Sequence, residues 1–128
     1  MIVRTLEDVV GSDRDVAGEG WRSRRLLLRR DQLGFSLHDT TVAAGTELKL
    51  QYKHHLEACY CLEGEAELVD LANGERHAIG PGSMYALDAH DRHTLTVQQD
   101  LHLVCVFNPA LSGGETHDPD GSFPPPRD

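Results

Sequence analysis

The sequence predicts an all-β domain, closed as a sandwich or small barrel. Three observations carry the prediction. Short β-branched or apolar segments recur at spacings of roughly 8 to 12 residues. Turn residues separate them at Asp31 to Gly34, Ala44-Gly45, Asn73-Gly74 and Gly80-Pro81-Gly82. No stretch shows the apolar stripe of a surface helix.

In chain order, Met1 to Asp8 reads as a short strand (IVRTL) running into a polar loop, and Gly11 to Gly20 as loop. WRSRRLLLRR from Trp21 to Arg30 has no helical stripe, and a strand is expected over Arg24 to Arg29. Phe35 to Val42 alternates, as does Glu47 to His54, with Leu48, Leu50 and Tyr52 sharing one side. Glu57 to Leu62 is apolar on both parities, as in a strand covered on both faces. Glu63-Gly64 reads as a turn, Glu65 to Asp70 as a strand and Asn73-Gly74 as a hairpin. Strands then follow at His77 to Ile79, Ser83 to Leu87, His93 to Val97 and Leu101 to Phe107. The total expected is roughly nine or ten short strands. From Pro109 onward, PALSGGETHDPDGSFPPPRD forms no regular element and is either a disordered end or a lid over an opening.

The 128 residues suffice for one domain with one core. No apolar run approaches the roughly 18 residues of a membrane span, and no signal layout opens the chain, so a cytoplasmic protein is expected. Three cysteines without a CxxC pair fit reduced thiols. A net charge of −9 speaks against nucleic acid and anionic membranes as partners and leaves a small molecule as the expected one.

Two spacings carry chemistry. Glu57 is followed, after six residues, by Gly64, and Gly82 stands eleven positions before His93. This pair resembles the two motifs of the cupin superfamily and implies a cupin barrel, a jelly roll or double-stranded β-helix. The first-motif histidines of a typical metal cupin would fall near Gln51 and Lys53, and Asp88 and His90 replace the usual corner Pro and Gly. The ordered strings GWRSRRLLL, GFSLHDTTV, HHLEACYCLEG, PGSMYALDAHDRH and CVFNPALSGGETHD are more specific. Together they are similar to the ectoine synthase family, over almost the whole chain.

That resemblance implies a barrel over residues 1–108 and an active-site lid over 109–128. It implies closure of N4-acetyl-L-2,4-diaminobutyrate to ectoine with loss of water, at an iron(II) centre or that of another first-row divalent metal. The metal ligands implied are Glu57, Tyr85 and His93. Implied substrate contacts are Trp21, Arg25, Thr40, Tyr52, Cys105, Phe107, Glu115 and His117. Tyr52, Glu115 and His117 are the candidate catalytic residues. A homodimer is expected because cupins often pair through sheet edges. Gly114 and Phe123 depart from the family, where a larger polar residue and a Tyr are expected.

The residues support this chemistry on their own terms, beside plainer roles. Glu57 puts a charge into an apolar strand, to be met by a cation or a basic side chain. His93 shares parity with Leu95 and Val97, and Tyr85 with Leu87, so both point inward. A carboxylate, a phenolate and an imidazole form a hard O/O/N set suited to iron(II), zinc or manganese alike. At most one of His54 and His55 can face the barrel; His55 shares the parity of Glu57 and is a candidate support for a ligand. Cys59, Cys61 and Cys105 read as core, Cys105 equally as pocket lining. Arg25 offers a fork for a carboxylate. A different metal-cupin enzyme, or a cupin that binds a ligand without turnover, remain the alternatives.

Overall fold

A computed structural model describes residues 1–127; Asp128, the last residue of the expected tail, lies outside the described residues. The chain forms α1 (Leu6–Val9) and eight strands: β1 (Asp15–Gly18), β2 (Trp21–Leu27), β3 (Ser36–Val42), β4 (Glu47–Leu50), β5 (Leu56–Asp70), β6 (Arg76–Ile79), β7 (Met84–Leu87) and β8 (His93–Asn108). All pairings are antiparallel.

The long strands β5 and β8 organise the fold. Their pairing runs from Leu56↔Asn108 to Asp70↔His93, and each strand serves two layers. In one layer β8 continues into β3, β2 and β1 while β5 continues into β7; in the other β8 pairs with β4 and β5 with β6. The result is the expected jelly-roll barrel, with eight strands where nine or ten were expected. Two expected pairs of strands are in fact continuous. The supposed turn at Glu63-Gly64 is a bulged stretch within β5, where register shifts fall between Cys61 and Ala66. Buried positions move there from odd (Glu57, Cys59, Cys61) to even (Ala66, Leu68). Gly64 takes φ +97°, and a Cβ would collide with the Asp100 carbonyl of the adjacent strand β8.

The other differences are local. The expected N-terminal strand is instead one turn of helix, closed by a capping box: Thr5 Oγ accepts from the Asp8 N–H and the Asp8 carboxylate from the Thr5 N–H. The expected loop at Gly11 to Gly20 contains β1, which pairs with β2 and is tied to it by the Arg22–Asp15 ion pair. β2 starts at Trp21, three residues before the expected strand, and gives way after Leu27 to a 3₁₀ turn, Arg29–Asp31. Asp31 gathers that corner, accepting from Arg4, Arg14 and the Leu28 N–H at 2.9 Å each. β5 is not covered on both faces in this chain, since Leu56, Tyr60 and Leu62 are exposed.

β8 ends at Asn108, and a cis Asn108–Pro109 bond leads into the tail. The tail has no helix or strand, as expected, yet it is packed down. Leu111, Ser122 and Phe123 are buried, the Leu111 carbonyl accepts from the Arg29 N–H, and the Gly121 carbonyl accepts from the Gln51 N–H. No helix among the described residues is long and apolar enough to cross a membrane.

Candidate active site

Six strands, β2, β3, β4, β5, β7 and β8, aim side chains at one cavity of about 50 Å³. Of the expected site residues, Trp21, Thr40, Tyr52, Glu57, Tyr85, Cys105, Phe107 and His117 line it together. His117 comes from the tail. Its ring stacks on Phe123 at 4.4 Å, meets Trp21 edge-on at 5.0 Å, and its Nε2 lies 2.9 Å from the Tyr52 hydroxyl. Burial, with Arg25 adding to it, holds His117 down at about 4, and burial raises Tyr52 well above its ordinary range. At neutral pH the pair is an uncharged imidazole and an intact phenol.

Arg25, Glu115 and His93 stand outside the lining. Arg25 is fully buried, with the Phe123 ring 5.5 Å from its guanidinium carbon. It donates to the Gly113 and Glu115 carbonyls at 2.5 and 2.8 Å and to Ser23 Oγ at 3.2 Å. Burial lowers it to about 10, so it stays charged at neutral pH. The Glu115 carboxylate folds back to accept from the Ser112 and Gly113 N–H groups at 2.6 Å each, 3.9 Å from Arg25. Both residues therefore hold the tail. The remaining arginines of β2 face outward, Arg22 to Asp15 and Arg24 to Asp39, which separates them from Arg25 as strand parity requires.

Of the expected metal ligands, Glu57 and Tyr85 share the main cavity, and Tyr85 and His93 share an adjoining cleft. The His93 and Tyr52 rings are 6.3 Å apart. Glu57 is buried, and burial pushes it up to about 8 despite hydrogen bonds with the Cys59 and Cys105 thiols. No basic side chain is paired with it among the described residues. The plainer role for Glu57, a salt bridge, is therefore absent there. His93 Nδ1 lies 2.9 Å from the Asp91 carbonyl; that contact makes Nδ1 the N–H and leaves Nε2 its lone pair. A buried carboxyl without a counter-charge, a phenol and an imidazole with a fixed tautomer fit a hard divalent cation.

Several participants were not foreseen. Ser23 and Phe123 line the cavity, and Cys59, expected only as core, lines it beside Glu57. Ser23 was legible from the parity of Trp21 and Arg25; Phe123 was not, because the tail carries no periodicity. His38 is buried between Ser23 Oγ (3.0 Å) and Ser36 Oγ (2.8 Å). His54 is exposed and His55 buried, edge-on to Phe107, with both ring nitrogens unpaired. Burial holds His55 down at about 4.

A family model for ectoine synthase matches residues 1–127. The L-ectoine synthase of Desulfatibacillum aliphaticivorans is 56% identical over 126 residues, 97% of each chain. That of Halalkalibacterium halodurans is 50% identical, over 97% of this chain and 96% of its own. The crystal structure of ectoine synthase from P. lautus superposes with a TM-score of 0.84 at 50% identity, covering 88% of this chain and 80% of that one. The polyketide cyclase RemF from Streptomyces resistomycificus shares the fold alone, at a TM-score of 0.68 and 21% identity.

Proposed function

The chain belongs to the ectoine synthase family, lyases of ectoine biosynthesis on a cupin fold, and from that premise we propose that it closes N4-acetyl-L-2,4-diaminobutyrate to L-ectoine with loss of water. The observation that carries the chemistry is the contact between His117, brought by the tail, and Tyr52, fixed on the barrel.

In the reaction the α-amine nitrogen bonds to the acetamide carbonyl carbon, and the carbonyl oxygen leaves as water with two protons. Glu57, Tyr85 and His93 would hold the cation. Iron(II) or another first-row divalent ion bound there supplies Lewis acidity to the carbonyl. His117 in its Nε2–H tautomer takes the amine proton at Nδ1 and gives the Nε2 proton to the Tyr52 oxygen, while Tyr52 gives its own to the departing oxygen. One proton thereby moves from nitrogen to oxygen, leaving Tyr52 restored and His117 as its Nδ1–H tautomer. The second proton of the departing water also comes from the attacking nitrogen, as the ring C=N bond forms and the C–O bond breaks.

Trp21, Thr40, Cys105 and Phe107 line the rest of the pocket and hold the amine near the carbonyl, an entropic advantage of up to roughly 7–11 kcal/mol. Arg25 keeps its hydrogen bonds to the Gly113 and Glu115 carbonyls and draws the substrate carboxylate by its buried charge; Glu115 acts by keeping the tail shut. A closed tail keeps bulk water, the product, from reopening the ring. The activity serves compatible-solute production, and copies of the chain pair through the exposed apolar strip of Leu56, Tyr60, Leu62 and Met84.

The test is incubation of iron-loaded protein with the acetylated diamino acid, following ectoine by chromatography. Glu57→Ala, Tyr85→Ala and His93→Ala should each abolish turnover with the fold retained; unchanged rates in all three would overturn the ligand assignment.

A further inference from the structure

Glu57, Cys59 and Cys105 present one ligand atom each, all within 4.8 Å of one another and all buried. Cys59 and Cys105 sit opposite each other in the β5–β8 register, so their side chains stand on the same face of adjacent strands. Both line the main cavity. Cys59 also hydrogen-bonds Tyr85. Among the described residues no other group of histidine, cysteine or acidic side chains converges in this way.

From this geometry we infer that the cavity contains a second, soft cation site, Glu57/Cys59/Cys105, which takes a thiophilic divalent ion such as zinc or cadmium and excludes the hard-ligand metal from Glu57. Donors that share one tetrahedral zinc at roughly 2.0–2.3 Å stand about 3.3–3.8 Å apart, so these three, all within 4.8 Å of one another, need to close by at most about 1.5 Å. Two sulfurs and one oxygen favour a borderline or soft ion, whereas Glu57, Tyr85 and His93 offer only oxygen and nitrogen. The two sets share one carboxyl, so they fill alternately. Binding converts two thiols to thiolates and the Glu57 carboxyl to a carboxylate, releasing up to three protons with no change of oxidation state. Because Cys105 and Cys59 form part of the substrate wall, an ion there also occupies substrate volume.

The readout needs no substrate; its iron(II) arm alone rests on the proposed ligand set Glu57, Tyr85 and His93, and the cadmium arms stand without it. Full-length protein freed of metal is titrated with cadmium, following the ultraviolet thiolate-to-metal absorption. One equivalent should saturate it. Cys59→Ser and Cys105→Ser should each remove at least half of the band and the double variant all of it, while His93→Ala and Cys61→Ser leave it intact. Iron(II) should move the cadmium midpoint to higher concentration. On the unsubstituted chain, cadmium should slow alkylation of Cys59 and Cys105, mapped by mass spectrometry, by at least about tenfold relative to Cys61. Absence of the band, its survival in the double variant, its loss in His93→Ala, indifference to iron(II), or equal slowing at all three thiols would each overturn the inference.

Discussion

Tyr52 shows how one atom separates packing from chemistry. Its ring meets Phe107 and Phe123 at 5.1 Å each and His117 at 5.8 Å, and its hydroxyl adds the hydrogen bond to His117. Tyr52→Phe keeps the rings and removes the proton path. Turnover should fall by roughly 10²- to 10⁴-fold with KM little changed and thermal stability nearly intact; a KM effect alone would assign the hydroxyl to binding. The lowered pKa of His117 sets a second expectation. Its basic form is lost only as pH falls through about 4, so kcat/KM should not decline through the ordinary histidine range near 6.5 on its account. Asp31 is a purely structural counterpart. Burial opposes its charge, but hydrogen bonds from Arg14, the Leu28 N–H and Arg4 outweigh this and hold its pKa far below the usual carboxylate range. Asp31→Asn should cost about 2–3 kcal/mol, seen as a lower urea midpoint at unchanged slope.

At the scale of elements, the tail is set by Gly121. That residue takes φ +75°, and a Cβ would collide with the Lys49 carbonyl of β4. Gly121→Ala should therefore lift the segment that carries His117 and Phe123, at roughly 1–2 kcal/mol for the backbone conformation alone. The expected result is faster hydrogen exchange over residues 115–123 and a loss of kcat/KM, with the barrel melting almost unchanged. This docking was hidden from the sequence because it rests on backbone carbonyls and one buried serine, Ser122, rather than on any apolar pattern. Strand faces were legible, since Tyr85 and His93 sit on the expected inward parity and His55 shares that of Glu57. Strand continuity was not, because a bulge at Gly64 looks like a turn until its two flanks are seen to pair with one partner. Arg25 and Glu115 were recognised as special, but the backbone groups they hold are invisible in a residue pattern.

The whole molecule has an acid sensitivity built from its interior. His38, His55 and His117 are buried in the folded chain, burial being the largest cause of lowered pKa in each, and His55 and His117 lie at about 4. In the unfolded chain each binds a proton near 6.5. A folded pKa below the unfolded one means that the unfolded state holds more protons below pH 6.5, so stability falls as pH drops, with no such loss above 6.5. Each of the two groups at about 4 contributes up to about 1.4 kcal/mol per pH unit between 6.5 and 4, an upper figure because buried groups relax. The carboxylates act in a lower window: Asp15, held at about 2 chiefly by its hydrogen bond from Arg22, and Asp31 lose their contributions only as pH falls below about 3.8. Glu57, pushed up to about 8 by burial, has the opposite sign, its contribution being lost as pH rises from 4.5 toward 8. Urea midpoints should therefore peak near pH 6.5, fall toward 8 through Glu57, and fall toward 4 because the imidazoles outnumber it. His117→Phe and His55→Phe should each flatten that slope, because they remove a group that protonates only on unfolding. A midpoint constant down to pH 4 in the unsubstituted chain would mean these imidazoles protonate in place and the interior is wetter than its packing implies.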